Sequence, residues 1–400
     1  MPDAVPTSKT DPSTHPVSLV TTEPELVAAA KRLGQAPTVA FDLESNGLFA
    51  YRATACLVQL SSADEIVIVD AMATPLAPLA DLLGSDRTVK IVHDVAFDAR
   101  ILAENGVHLA NVRDTSVAAR MLGRTATGLA SLLSSELGIS IDKALQQHDW
   151  GKRPLDAHAL AYLSGDVQHL QSLADKLWAE VNERNIGDAI DEETRYRLSQ
   201  AIDAAKTEDI RPPYIRLKGI DRAAQGDLPI LKRLADLREA RAKELDVPPY
   251  KVLGPDILFA IAQRRPKTMD DLARIRGATA GHRARSIARD VLRAVASGIA
   301  DAGIPEEDRA MLQRPRLPSA IAKARRAREQ RLTRWRKIEA KQRGIDEQVV
   351  LPGHCLQDIA DLDEPSVDDL YTIAGIGRFR VERDGAAILA ALNAPDEASP

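Results

Sequence analysis

The sequence predicts an α/β domain built on a mixed sheet, followed by two copies of a small all-α domain. Three observations predict it. Within the first 200 residues, short apolar runs joined by tight turns give way to strand–helix units. After Tyr196 the strand patterns stop, and everything beyond reads as helix or loop. In that second half, one shift of 98 residues aligns Asp270-Asp271-Leu272 with Asp368-Asp369-Leu370 and Arg233-Leu234 with Arg331-Leu332. The same shift places Leu253 on Leu351, Ile261 on Ile359, Ile275 on Ile373 and Gly277 on Gly375.

Taken in order, residues 1–16 read as a disordered arm, because MPDAVPTSKTDPSTHP has neither a basic start nor an apolar core. Glu23 to Leu33 has helical spacing and ends at Gly34. Thr38–Glu44, Ala55–Ser61 and Glu65–Asp70 read as strands, and their short connections favour antiparallel neighbours. A helix over Leu76–Leu83 leads to the strand VKIVH, Val89–His93. Ala96, Phe97, Ile101 and Leu102 then repeat as a helix. Residues 114–136 read as two helices broken at Gly123 and Gly128, and 155–181 as helix again. The expected domains are 17–205, 221–301 and 321–396, with linkers at 206–220 and 302–320.

Composition narrows the class. With 400 residues, two or three domains are expected, and 44% apolar and 28% charged residues suit a globular protein. No apolar run approaches the ~18 residues of a membrane span, so no membrane partner is expected. Cys56 and Cys355 have no CxxC spacing and read as free thiols in a reducing cytoplasm. The net charge of −5 hides an acidic first half (−10) and a basic second half (+5), which separates chemistry from binding.

The chemistry starts on TVAFDLE. A strand alternates its side chains, so Asp42 and Glu44 share one face while Phe41 and Leu43 share the other. Two neighbouring carboxylates on an apolar strand are unfavourable without a cation between them. Asp94 and Asp98 lie near the start of a helix, where an anion is favoured; Asp94 reads as a helix-terminal charge, and Asp98 as that or a site acid. Tyr162 and Asp166 are four apart on one helix face, with Asp166 among Leu163, Val167 and Leu170. Alone, Asp166 also reads as an N-cap after Gly165. Asp191 and Glu193, by contrast, read as a solvated helix face.

Together FDLESNGL, IVHDVAFDARIL and YLSGDVQHL resemble the three exonuclease motifs of the DEDD family in order and spacing. The matching acids are Asp42, Glu44, Asp98 and Asp166. Tyr162, four before the last of them, marks the tyrosine branch; the histidine branch places His five before, where this chain has Ala161. Asp149-Trp150 with Arg153-Pro154-Leu155 resembles the D-W-x-x-R-P-L segment of the ribonuclease D family and its eukaryotic exosome-associated relatives. The two helical copies resemble HRDC domains, and an exonuclease domain followed by two of them is the ribonuclease D layout.

The resemblance implies a ribonuclease H-like exonuclease domain and a metal-dependent 3′–5′ exoribonuclease releasing 5′-mononucleotides. Its substrates would be tRNA precursors or other structured RNAs with 3′ extensions. It implies two divalent ions, Mg²⁺ or Mn²⁺, with Asp42 shared, Glu44 and Asp166 on the ion that activates water, Asp98 on the leaving-oxygen side through water, and Tyr162 orienting the water. By position relative to the motifs, Leu43, Leu48 and His93 contact the terminal nucleotide, with packing the competing role for Leu48. A cytoplasmic monomer is expected. Two alternatives stay open: a DNA 3′–5′ exonuclease acting on single strands, and a catalytically silent RNA-binding scaffold, which would have lost one or more acids.

Substrate grip is expected in the basic half. Lys323 to Arg343 holds ten Lys/Arg against Glu329 and Glu339, a net of +8. Arg325, Arg328, Arg331, Trp335 and Arg336 are the candidate RNA contacts there. The glycines of Gly375-Ile376-Gly377-Arg378 let backbone amides approach a phosphate or form a turn between helices.

Overall fold

The computed structural model describes residues 15–207, 209–312 and 318–394. Most of the expected N-terminal arm, residues 313–317 of the expected second linker, and 395–396 of the second copy lie outside the described residues. The elements in order are β1 (Val17–Val20), α1 (Glu23–Leu33), β2 (Thr38–Ser45), β3 (Ala55–Ser61), β4 (Ile66–Asp70), α2 (Ala80–Leu83), β5 (Val89–Val92), α3 (Ala96–Glu104), β6 (Val112–Asp114), α4 (Thr115–Met121), α5 (Leu129–Leu132), α6 (Ala157–Gln168), α7 (Leu170–Glu183) and α8 (Gly187–Lys206). The helical half follows with α9 (Leu228–Glu244), α10 (Pro255–Arg264), α11 (Met269–Ala273), α12 (Gly281–Ser286), α13 (Ala288–Ala300), α14 (Glu306–Leu312), α15 (Ser319–Arg343), α16 (Glu347–Val350), α17 (Gly353–Asp361), α18 (Val367–Leu370) and α19 (Arg378–Asn393).

The six strands form one mixed sheet in the order β1-β4-β3-β2-β5-β6. β3 and β4 are antiparallel, as their short connection requires, with Val58 opposite Val69. β2 pairs with β5 and β5 with β6 in parallel, with α3 joining β5 to β6. The two edge strands, β1 and β6, are absent from the sequence reading. Each has four residues or fewer, and three of the four in β1 are exposed, so neither carries a readable period of two.

The described residues divide into two compact units. One contains the described parts of Met1–Glu44, Ala55–Lys206 and Ser319–Pro400; the other contains Ser45–Thr54 and Thr207–Pro318. The chain thus leaves the first unit directly after Glu44 and re-enters it at β3. In the second unit Tyr51 donates from its hydroxyl to Glu239 and from its backbone to Asp246. The core there is Leu231, Leu234, Leu258, Ile261, Leu272 and Val291. The stretch 206–220, read as a linker, instead supplies Tyr214, Ile215, Leu217 and Ile220 to that core. Tyr214 is fully buried and donates to Asp308, a residue of the second expected linker.

The repeat has physical content. Leu234 and Leu332, Leu253 and Leu351, Ile261 and Ile359, and Leu272 and Leu370 are all buried pairs. Both copies start the helix after their turn with the same capping box, Thr268 with Asp271 and Ser366 with Asp369. They differ at the end: α12 and α13 are separated at Ile287, whereas α19 runs unbroken.

The second copy is built into the first unit. Its own core holds Leu332, Leu351, Ile359, Leu370 and Ile388. Val349 joins the core that fills the sheet domain, with Ile345 and Phe379 packed against it. Arg380 is 1% exposed and donates to Val349 O, Ile376 O and Glu193 on α8. The neighbouring Glu192 carboxylate accepts the backbone N–H of Phe379 at the start of α19. Of the pair read as a solvated face, Asp191 is exposed, but Glu193 is not: it and the neighbouring Glu192 face the second copy. They hold the helix N-terminus that the two glycines open, and a Cβ on Gly377 would meet the Glu192 carboxylate.

Candidate active site

β2 is an interior strand with β3 and β5 on either side, so its backbone is fixed on both edges. Phe41 and Leu43 are buried in the core. Asp42 and Glu44 emerge on the other face, half-buried, at the C-terminal end of the strand. α6 brings Asp166 to them. Its N-cap is Asp156, which accepts the Ala159 N–H, so Asp166 is an interior helix residue and not a cap. Ligand oxygens of Asp42, Glu44 and Asp166 all lie within 4.8 Å of one another.

Electrostatics shows what this arrangement costs. Burial is the main cause of a raised pKa at all three, and charge repulsion adds to it at Glu44 and Asp166. Glu44 is pushed to about 9, by desolvation first and then by Asp42 and Asp166. Asp98, in the first turn of α3, is buried outside the triad. Its pKa is raised well above the carboxylate range by burial and then by Asp42 and Glu44. Four carboxylates held this way are stable together as anions only around positive charge. Their all-oxygen donor set fits hard divalent cations.

Tyr162 is 9% exposed on the same face of α6 as Asp166. Burial, then Asp166, Glu44 and Asp42, raise its pKa further above its normal value, so the phenol stays protonated. Trp150 packs on it with ring centroids 5.7 Å apart. The Trp150 indole N–H is buried without a full hydrogen-bond partner, and its proximity favours the charged form of Glu44. The loop carrying Trp150 is held by Arg153, whose fork grips Asp70 at 2.5 and 2.7 Å and Cys56 O at 3.1 Å. A cleft of about 110 Å³ opens beside Tyr162 and Asp166, lined also by Gly128, Ser131, Lys143 and Gln146.

Asp114 is a residue that the sequence reading missed. Fully buried, it accepts the N–H groups of Asp94 and Val95 and also those of Ser116 and Val117. One carboxylate caps α4 and fixes the loop that delivers Asp98. The signal available was an Asp-Thr-Ser run before an apolar helix. Asp94 itself sits at φ 62, exposed, 3.4 Å from Arg197.

The candidate substrate contacts fare differently. Leu43 has its side chain in the core, and its backbone N–H bonds Asp42. His93 Nδ1 is 2.9 Å from Thr115 Oγ1, which bonds Val92 O. Leu48 falls in the second unit, where its side chain is 45% exposed and its carbonyl accepts from Tyr250; it does not pack into a core.

The five candidate RNA contacts on α15 are committed within their own domain. Arg325 pairs with Asp361, Arg328 donates to Ala360 O, and Arg331 donates to Leu392 O. Arg336 is 8% exposed and donates to Leu351 O, while Trp335 packs on the core. A helical run of one charge has a buried face too, and its arginines satisfy the carbonyls there. The exposed basic side chains are Lys323, Arg326, Arg334, Lys337 and Lys341, which recur at helical spacing.

Comparison with known proteins places the chain in a family. A 3′-5′ exonuclease family profile matches residues 17–182, and the HRDC domain profile matches 227–295 and 325–392. Ribonuclease D of Nitrobacter hamburgensis is 32% identical over 290 residues, covering 71% of this chain and 74% of that protein. The crystal structure of Escherichia coli RNase D, an exoribonuclease involved in structured RNA processing, covers 94% of this chain and 98% of its own at TM-score 0.67 and 21% identity. The catalytic core of RRP6 from Trypanosoma brucei matches at TM-score 0.61 and 22% identity, over 73% of this chain and 82% of its own. At those identities the two structures speak for the fold, and the sequence relative carries the family. The chain belongs to the ribonuclease D family.

Proposed function

We infer that the chain is a 3′–5′ exoribonuclease that uses divalent cations held by Asp42, Glu44, Asp98 and Asp166. The carrying observation is the Asp42–Glu44–Asp166 cluster, whose oxygens lie within 4.8 Å of one another on a strand and helix of the exonuclease domain. Such a cluster is repulsive by itself and favourable around hard cations, which supports Mg²⁺ or Mn²⁺. Two such ions, when bound, supply a water of lowered pKa and offset charge on the leaving oxygen. Asp42, Glu44, Asp98 and Asp166 are the residues that would hold them.

The protonated Tyr162 hydroxyl is an orienting group, because its raised pKa makes it a poor base at neutral pH. Trp150 fixes its ring and excludes solvent from one side. The products are 5′-mononucleotides, and the substrates proposed are tRNA precursors and other structured RNAs, met by a monomer in the cytoplasm. Further grip falls to the exposed Lys323, Arg326, Lys337 and Lys341. No helix among the described residues is long and apolar enough to cross a membrane. RNA follows from the family, and the presence of all four acids sets the silent-scaffold alternative aside.

The test is 5′-labelled single-stranded RNA incubated with the protein and Mg²⁺, beside a matched DNA strand, a chelator control and Asp42→Ala. A ladder shortened from the 3′ end is expected from wild type alone, with RNA preferred. Equal degradation by Asp42→Ala would overturn the reading.

A further inference from the structure

A groove of about 530 Å³ lies in the first unit, between the N-terminal part of α3, the end of α4, α8 and the 348–354 segment of the second copy. Its walls carry Arg100, Arg120 and Arg197 against one carboxylate, Glu193. That carboxylate is already engaged by Arg380 at 3.0 Å and Arg197 at 3.2 Å. Arg100 stacks on Phe97 and reaches Glu104 only at 3.8 Å. Arg120 is half-buried, and its guanidinium has no carboxylate or hydrogen-bond acceptor among the described residues. Facing an open groove with no carboxylate of its own, that guanidinium is available to an anion supplied from outside. The Tyr196 and His354 rings stack on each other at 4.8 Å and make a flat wall, and Gln200 and Gln348 add amide groups.

The groove is too large for one small anion and is open along its length. Guanidinium forks match phosphate oxygens, and a file of them suits a sugar–phosphate backbone. Its location suits the substrate strand. Ala96 lines the groove, and Asp98 of the acid cluster lies in the same first turn of α3. The groove and the acid cluster therefore both adjoin the start of α3. A strand whose 3′ end lies among the carboxylates meets the groove with the nucleotides just upstream.

We propose that this groove binds the phosphate backbone of the substrate RNA a few nucleotides upstream of the 3′ end, with Arg120 as its principal phosphate ligand. The inference rests on the exoribonuclease reading above. Arg120 touches no reacting atom; it is a positioning residue that acts on strands long enough to reach it.

The experiment compares wild type, Arg120→Gln, Arg120→Lys and Gln200→Glu in the full chain, on a dinucleotide and on a 12-nucleotide RNA. Gln200 is exposed, so its substitution places a negative charge in the groove without disturbing the core. Arg120→Gln and Gln200→Glu are expected to raise KM for the 12-mer about 5-fold, with kcat within about twofold and dinucleotide hydrolysis unchanged. Arg120→Lys keeps the charge and recovers part of the loss. Binding of the 12-mer in chelator should weaken in step, and the slope of log K against log salt should fall by about 0.7 for Arg120→Gln. Equal loss on both lengths, or 12-mer binding at the wild-type level in both Arg120→Gln and Gln200→Glu, overturns the proposal. Because binding is read without turnover, an inactive wild type sinks the exoribonuclease reading while the binding comparison still decides the groove.

Discussion

Glu44 shows at the scale of one residue how function and stability oppose each other here. A carboxyl pushed to about 9 binds its proton more tightly in the folded chain than in the unfolded one. Its contribution is therefore complete at low pH and is lost as pH rises from the ordinary carboxylate range through about 9. Asp42 and Asp166 shift in the same direction. The melting temperature of the chelated protein should fall between pH 6 and 9, and millimolar Mg²⁺ should flatten that fall; a flat chelated profile would contradict the buried-repulsion account. Glu44→Gln is neutral without having to take up a proton on folding, so it should stabilise the chelated protein at pH 8 by at least about 1–2 kcal/mol while abolishing hydrolysis. Tyr162→Phe keeps the ring against Trp150 and removes the hydroxyl. A drop in kcat of about 10–100-fold with unchanged Mg²⁺ dependence is expected, measured on a short RNA. Asp42 with Glu44 and Tyr162 with Asp166 were readable as candidate pairs because their spacings are local, whereas Asp98 joined them only through the family resemblance. Asp114 was not readable, since its bonds to Asp94 and Val95 cross from one strand end to another.

Elements deliver these residues, and two anchors keep the elements in place. Asp114 ties the β5–α3 loop to α4, and Arg153 ties the Trp150 loop to the ends of β3 and β4. Asp114→Ala leaves several buried N–H groups unmet, so a loss of about 2–4 kcal/mol is expected in chemical denaturation. Activity should fall with it through Asp98. On α15, the tied and the exposed basic residues should separate in the same way. Lys337→Glu with Lys341→Glu should weaken RNA binding and lower its salt dependence without changing the melting temperature. Arg336→Ala, whose guanidinium is buried against Leu351 O and Glu347, should destabilise the fold instead. Binding assays beside thermal melts distinguish the two classes, and a destabilised Lys337/Lys341 pair would refute the division. Composition revealed the net charge of this helix, but only packing sorts its ten basic side chains into two faces.

For the whole molecule, the chain does not divide as its repeat suggests. Two similar helical copies have different fates: one contributes to a unit of its own, and the other shares a core with the sheet through Val349, Ile345 and Phe379. The junction is held by Arg380 with Glu193 and by Glu192 on the start of α19. Gly377 is at φ 77 and its Cβ position is filled by Glu192, so Gly377→Ala should loosen this junction. Faster amide exchange in α8 and α19, with exchange in α9–α13 unchanged, is the expected outcome, and wild-type exchange rates in α8 and α19 would argue against the junction. By itself, the sequence determined the sheet domain, the repeat and two candidate pairs, Asp42 with Glu44 and Tyr162 with Asp166, because alternation and helical spacing are local properties of the chain. Tertiary structure alone decided which charges are free. Whether an arginine meets RNA, a carbonyl or a glutamate depends on what the fold packs against it, and that partner lies tens or hundreds of residues away.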